Sequence, residues 1–249
     1  MDVATGRVDV PVEALAALAE REQAGGLHIT LRPEPLWLSA EERAVADKRV
    51  GEALAEAGLV DRRGRATVDF LDWLPLLTAP AREFYGWVGT GGQTYGVLAA
   101  SRGLQAVLAV SDGTNVGVQE IDRGRLAEAL VDQLPPLGPG GGHPRSVRVQ
   151  ELADAARQGQ EAYPLSPAIR DVVSLVQRPV SGSGELYAGR RDDVGRHVFL
   201  EQPLHYADTD WGRYLSYTTG THDDEMIHIG PAGPRELATT LTELAATLA

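Results

Sequence analysis

The stretch ADTDWGRYLSYTTG, residues 207–220, admits two readings, and the choice between them sets the fold. Asp208 and Asp210 stand two apart, a spacing that in a strand points both carboxylates to one face, as a divalent cation would need. The alternative is a hairpin. Asp208-Thr209-Asp210-Trp211-Gly212 has the composition of a tight turn, with Asp side chains bonding backbone N–H groups and Gly212 taking the unusual dihedral, and the residues from Arg213 to Thr219 follow as a strand. A pair of carboxylates falls well short of an oxygen cage for Mg²⁺ or Ca²⁺, and no glycine-rich phosphate loop opening a helix accompanies them. The hairpin is the stronger reading, and the flanking sequence extends it.

GELYAGRR, GRHVFLEQPLHYAD, GRYLSYTTG and EMIHIG are successive runs of strand length, followed by a helix opening at Pro234 with Leu237, Leu241, Leu244 and Leu248 on one face. The same order occurs upstream. EFYGWVGT, GQTYGVLAAS, LQAVLAVSDG and NVGVQEID are separated by Gly-Gly, Arg-Gly and Asp-Gly-Thr-Asn, spacings short enough for an antiparallel meander. A helix capped by Asp122, with Leu126, Leu130 and Leu134 in one stripe, then runs to Pro135-Pro136. The sequence therefore predicts an α+β fold: a duplicated, pseudo-two-fold unit of helix, four-stranded antiparallel meander and helix, giving a central, largely antiparallel sheet with helical bundles. Residues 1–136 and 146–249 form the halves of one compact domain, joined by the Gly/Pro linker at 137–145.

Helices precede the meander in each half. Pro11 opens one over about residues 11–23, Leu27–Leu31 reads as a short strand, and Ser39 with Glu42 makes a capping box for a helix reaching Gly58. Val68 to Leu74 form a short, very apolar helix that Pro75 ends or kinks. In the second half a short strand at Val147–Val149 precedes a helix over 150–158 and another opened by Ser166-Pro167, with Ile169, Val172, Val173 and Val176 inward.

Composition narrows function. A net charge of -12 and a pI near 4.9 oppose nucleic acid and anionic membranes as partners. The absence of cysteine excludes thiol catalysis, thiolate metal sites and disulfides. An N-terminus without a basic start and apolar run, and no apolar stretch of ~18 residues, lead us to expect a cytoplasmic protein. Chemistry-bearing motifs are sparse: THDDEMIH places His222 and His228 six apart, unlike any helical or zinc-finger pair, and Asp192-Asp193 suits a turn. SGSG at 181–184 begins a strand, so it is no nucleophile elbow, and GTGG at 89–92 joins strands, so no helix N-terminus waits for a pyrophosphate. We expect no catalytic set, no bound metal and no cofactor. Large side chains on both faces of strands such as EFYGWV suggest aromatic anchors for a protein partner.

YADTDWGRYLSYTTG followed by a short strand and GPAGPRELATTLTEL resembles the C-terminal signature of the EspG family, ESX (type VII) secretion-associated proteins of actinobacteria. The N-terminal VDVPVEALAALAE, the Pro-rich RPEPLWLSAEERA and EAGLVDRRGRATVDFLDWLPLLTAPAREFYGWV are similar in order too. The resemblance implies a cytosolic chaperone that grips the exposed tip of PE–PPE heterodimers, hides its apolar surface and keeps it soluble, without catalysis. The turn Gly89–Gln93 replaces a substrate-contacting loop of the family, which leaves a small helical-hairpin secretion substrate as the other possible partner. From position, Trp87, Gln93, Tyr95 and Trp211 are the expected contact residues. Two alternatives are a metal-dependent hydrolase using Asp208, Asp210, Asp223 and Asp224, and a scaffold oligomerising through exposed sheet edges.

Overall fold

The structure, a computed structural model, describes residues 6–34, 37, 39–158 and 166–248. Strand β1 (Val8–Pro11) leads into helix α1 (Val12–Arg21), which buries Leu15, Leu18 and Ala19. A 3₁₀ turn at Ile29–Leu31 stands where a strand was expected. There the His28 ring accepts from Thr30 N and Leu31 N returns to the His28 carbonyl, so local bonds replace a ladder. Helix α2 (Ala40–Glu56) starts at the anticipated capping box, with Ser39 Oγ accepting from Glu42 N and Glu42 Oε2 accepting from Ser39 N. Helix α3 (Val68–Thr78) runs one turn beyond Pro75, carrying Leu76 and Leu77 into the core.

The first meander is β2 (Arg82–Thr90), β3 (Gln93–Arg102), β4 (Gln105–Ser111) and β5 (Asn115–Glu120), followed by the short helix α4 (Leu126–Val131). Asp122 does not cap that helix; its carboxylate accepts from Gly124 N in the preceding turn. Strand β6 (Arg145–Arg148), helices α5 (Val149–Gln158) and α6 (Pro167–Val176), and strand β7 (Val180–Arg191) come next. The run expected as one strand from Gly195 to Asp208 divides at Gln202-Pro203 into β8 (His197–Phe199) and β9 (Leu204–Thr209). Strands β10 (Gly212–Thr219) and β11 (Met226–Pro231) and helix α7 (Pro234–Ala246) complete the fold.

The sheet order is β1-β5-β4-β3-β2-β7-β9-β10-β11-β6, with β8 paired to β7 alone. Every ladder is antiparallel, and reading inward from either edge meets corresponding elements in the same order. That palindrome is the pseudo-two-fold relation, with its axis between β2 and β7. The two central strands pair from Arg82↔Arg190 to Thr90↔Gly182. Close approach at this seam needs glycine: a Cβ on Gly86 would lie 2.2 Å from the Glu185 carbonyl, and one on Gly184 would lie 2.4 Å from that of Trp87.

Helices α4 and α7 pack together over the sheet centre on one face, burying Phe84, Val88, Leu130, Leu186, Leu204, Leu237 and Leu241. On the opposite face α1, α2 and α3 cover the N-terminal half, where Leu15, Leu54, Phe70, Leu77, Leu98 and Val107 are buried. Each fully buried Leu contributes roughly 1.5–3 kcal/mol. The C-terminal half receives much less cover there: α5 and α6 reach β6 and β11 at the outer edge, around Val147, Ile169 and Val172.

Candidate interaction surface

The β9–β10 hairpin is built as the sequence suggested, but its aspartates serve different bonds. Thr209, not an aspartate, satisfies the turn: its Oγ1 accepts from Trp211 N at 3.1 Å and donates to Gly212 O at 2.8 Å, while Gly212 takes φ 109°. Asp208 is 4% exposed and Arg213 1%. Arg213 Nε and Nη2 donate to the two Asp208 carboxylate oxygens at 2.6 and 2.8 Å, and Nη2 also donates to Pro135 O at 2.7 Å. The same guanidinium lies 5.0 Å from the Tyr206 ring centroid. Asp210 is exposed and pairs with Arg178 at 2.7 Å; Arg178 in turn stacks 4.5 Å over Trp211. Asp224 meets Arg148 at 3.4 Å, and the Asp223 side chain lies outside the described residues. Among the described residues no group of three His, Asp or Glu side chains could hold a metal ion.

The glycine-rich segment after Pro136 is docked rather than free. Gly140 N donates to Arg213 O and Arg213 N to Gly138 O, and Tyr214 Oη donates to Gly141 O at 2.8 Å. A groove of about 320 Å³ opens beside it, lined by His143, Leu175, Trp211, Tyr214 and Ile229.

A second buried carboxylate sits on β2. Glu83 Oε1 lies 2.6 Å from His197 Nε2 and 3.7 Å from His28 Nε2. Burial acts to raise the Glu83 pKa, but the neighbouring His28 and His197 rings outweigh it and hold the carboxyl below its ordinary value. This cluster joins the N-terminal layer to β8 and is closed over by Tyr85, whose ring meets that of His28 at 4.7 Å.

Among the described residues, the open surface lies on the face opposite α4 and α7, between the two helical layers. Ladder registers place Trp87, Glu185, His205, Ser216 and Ile229 in one row across β2, β7, β9, β10 and β11. Directly paired residues share a face. Trp87 packs against the N-terminal core and Ile229 against the small outer one, which fixes the face of the whole row. Between those ends Ser183, Glu185 and His205 are exposed, and Tyr187 and Ser216 are half-buried.

Of the residues expected to contact a partner, Trp87 borders this strip, half-buried. Gln93 is exposed at the β2–β3 tip, paired to Thr90. Trp211, 51% exposed, is at the β9–β10 turn beside the groove. The tips are at one end of the sheet, since Thr90 pairs with Gly182 and Val180 with Thr209. Tyr95 is on the other face, its hydroxyl donating to Gln133 O at 2.6 Å. Sequence reasoning did not single out Glu185, Tyr187 or His205. Alternation along each strand was legible, but nothing local reveals that β7 crosses the molecule to pair with β2.

This doubly built α+β sheet, open between its helical layers, is similar in fold to the Mycobacterium tuberculosis type VII secretion system chaperone EspG5, solved in complex with the PE25–PPE41 dimer, with a TM-score of 0.70 and 18% identity over 98% of this chain and 97% of that one. The EspG family model matches residues 11–243, and the chain belongs to the EspG family. No curated protein sequence matches it. Among the described residues no helix is long and apolar enough to cross a membrane.

Proposed function

We propose that this protein is a cytosolic chaperone of type VII secretion that acts by binding, without catalysis, and that its substrate is the apolar tip of a PE–PPE-like helical dimer. The observation that carries this reading is the inequality of the two helical layers. In the N-terminal half α1, α2 and α3 bring large side chains such as Leu15, Phe70 and Leu77 onto the sheet; in the equivalent place of the other half α5 and α6 cover only the outer strands. The better-covered half is closed by helices packed on the sheet, and the helices of a bound partner would complete the other half in the same way. Family membership and the likeness to EspG5, whose complex contains a PE–PPE dimer, point to the same occupant.

On this reading Trp87 and Trp211 flank the contact, Gln93 meets it at the hairpin tip, and Tyr95 braces the sheet from behind through Gln133. The interface would bury roughly 1,200–2,000 Å² in total. Co-expression with PE–PPE pairs encoded beside the gene, followed by gel filtration, tests the proposal: one pair co-elutes with the chain as a stoichiometric complex. Separate elution of every pair from a folded chain would refute it.

A further inference from the structure

We infer that Glu185, Trp87 and Tyr187 form a seat for a basic side chain of the bound partner, so that the middle of the open face selects for charge as well as apolar area; this rests on the partner-binding role proposed for that face. Glu185 is exposed on β7 and its Oε2 accepts from Tyr187 Oη at 3.0 Å. Among the described residues no arginine, lysine or histidine of the chain forms an ion pair with it. It stands directly opposite Trp87 across one ladder and His205 across the next.

The two rings beside it meet at right angles. Trp87 and Tyr187 have centroids 6.0 Å apart at 87°, and Tyr187 is held in place by stacking on Tyr85 at 5.3 Å and 11°. Desolvation first, and then the Glu185 carboxylate, push the Tyr187 pKa up to about 12, so its hydroxyl remains a donor that orients the carboxylate. Aromatic faces attract cations through the ring quadrupole, and an ionised acceptor adds a charge-assisted hydrogen bond. An aliphatic group placed there would instead desolvate a carboxylate that no cation neutralises. The other members of the strip, Ser183, His205 and Ser216, are polar as well. A chain of net charge -12 favours encounter with a basic partner.

The test uses N-acetyl-arginine amide, with N-acetyl-norleucine amide as the neutral probe. The Trp87 indole N–H resonance, assigned through Trp87→Phe, should shift saturably with the arginine compound at millimolar concentration and stay in place with the norleucine compound. Glu185→Gln, at an exposed position, should leave the fold intact and weaken the arginine response about tenfold. Equal responses to the two probes, or an unchanged response in Glu185→Gln, would overturn the seat. A PE–PPE pair that binds wild type and Glu185→Gln equally would overturn it while leaving the chaperone reading intact. Failure of wild type to bind any pair would count against the chaperone reading, whereas a Glu185-dependent arginine response would still support the seat.

Discussion

Arg213 closes a two-point ion pair with Asp208 inside the sheet, at 2.6 and 2.8 Å, and uses the same guanidinium to hold the carbonyl of Pro135. The pair thus fastens the β9–β10 hairpin to the chain leaving α4, and explains why this Asp and Arg flank a turn instead of a metal. Removing one partner leaves a buried uncompensated charge. Arg213→Met should lower stability by about 3–5 kcal/mol in urea titrations, and adding Asp208→Leu should recover part of that loss. A cost below about 1 kcal/mol for Arg213→Met would show the pair to be solvated.

Gly140 and Gly138 make an internal comparison within the docked segment. A Cβ on Gly140 would lie 2.1 Å from the Tyr214 ring, whereas nothing lies within 4 Å of one on Gly138. Gly140→Ala should cost about 1–3 kcal/mol, and Gly138→Ala no more than about 0.5 kcal/mol. Thermal unfolding of the two variants separates them, and equal costs would contradict the docking of this segment on Tyr214.

Glu83 gives stability a defined pH dependence. Its carboxyl titrates below the ordinary 4.5 because His28 and His197 outweigh the effect of burial. A depressed folded value means that the stabilising contribution is complete above the ordinary value and is lost as pH falls through the folded one. Glu83→Gln should therefore lower the urea midpoint more at about pH 6 than at about pH 3. A difference of the opposite sign would mean that burial, not the histidines, dominates.

Asp208, Asp210 and Asp224 each face an arginine, so divalent cations have no shared seat among them. Millimolar Mg²⁺, Mn²⁺ or Ca²⁺ should leave the melting temperature within about 1 °C of the metal-free value. A rise of several degrees, abolished by Asp208→Asn, would revive the hydrolytic reading.

Much of this architecture could be read from residue order. The capping box at Ser39, the Pro234 helix and the two meanders depend on local signals, namely caps, period and glycine turns, and the structure retains them. Local bonding also accounts for the misread stretch: at Leu27–Leu31 apolar β-type residues suggested a strand, but the His28 ring competes for Thr30 N. Strand β1 escaped notice because four residues ending in proline give little alternation to read. The open strip was illegible for a different reason. Its row joins Trp87 to Glu185, His205 and Ser216 through ladders between distant segments, and side-chain alternation within a strand carries no record of its neighbour.

Hydrogen exchange on the chain alone and saturated with a co-purified PE–PPE pair would locate the contact. If a partner's helices complete the sparsely covered half, amides at 182–187, 204–207 and 214–218 and along α6 gain protection, while those of α4 and α7 exchange as before. Protection confined to α4 and α7, with the strip unchanged, would place the partner on the wrong side of the sheet and end this reading of the fold.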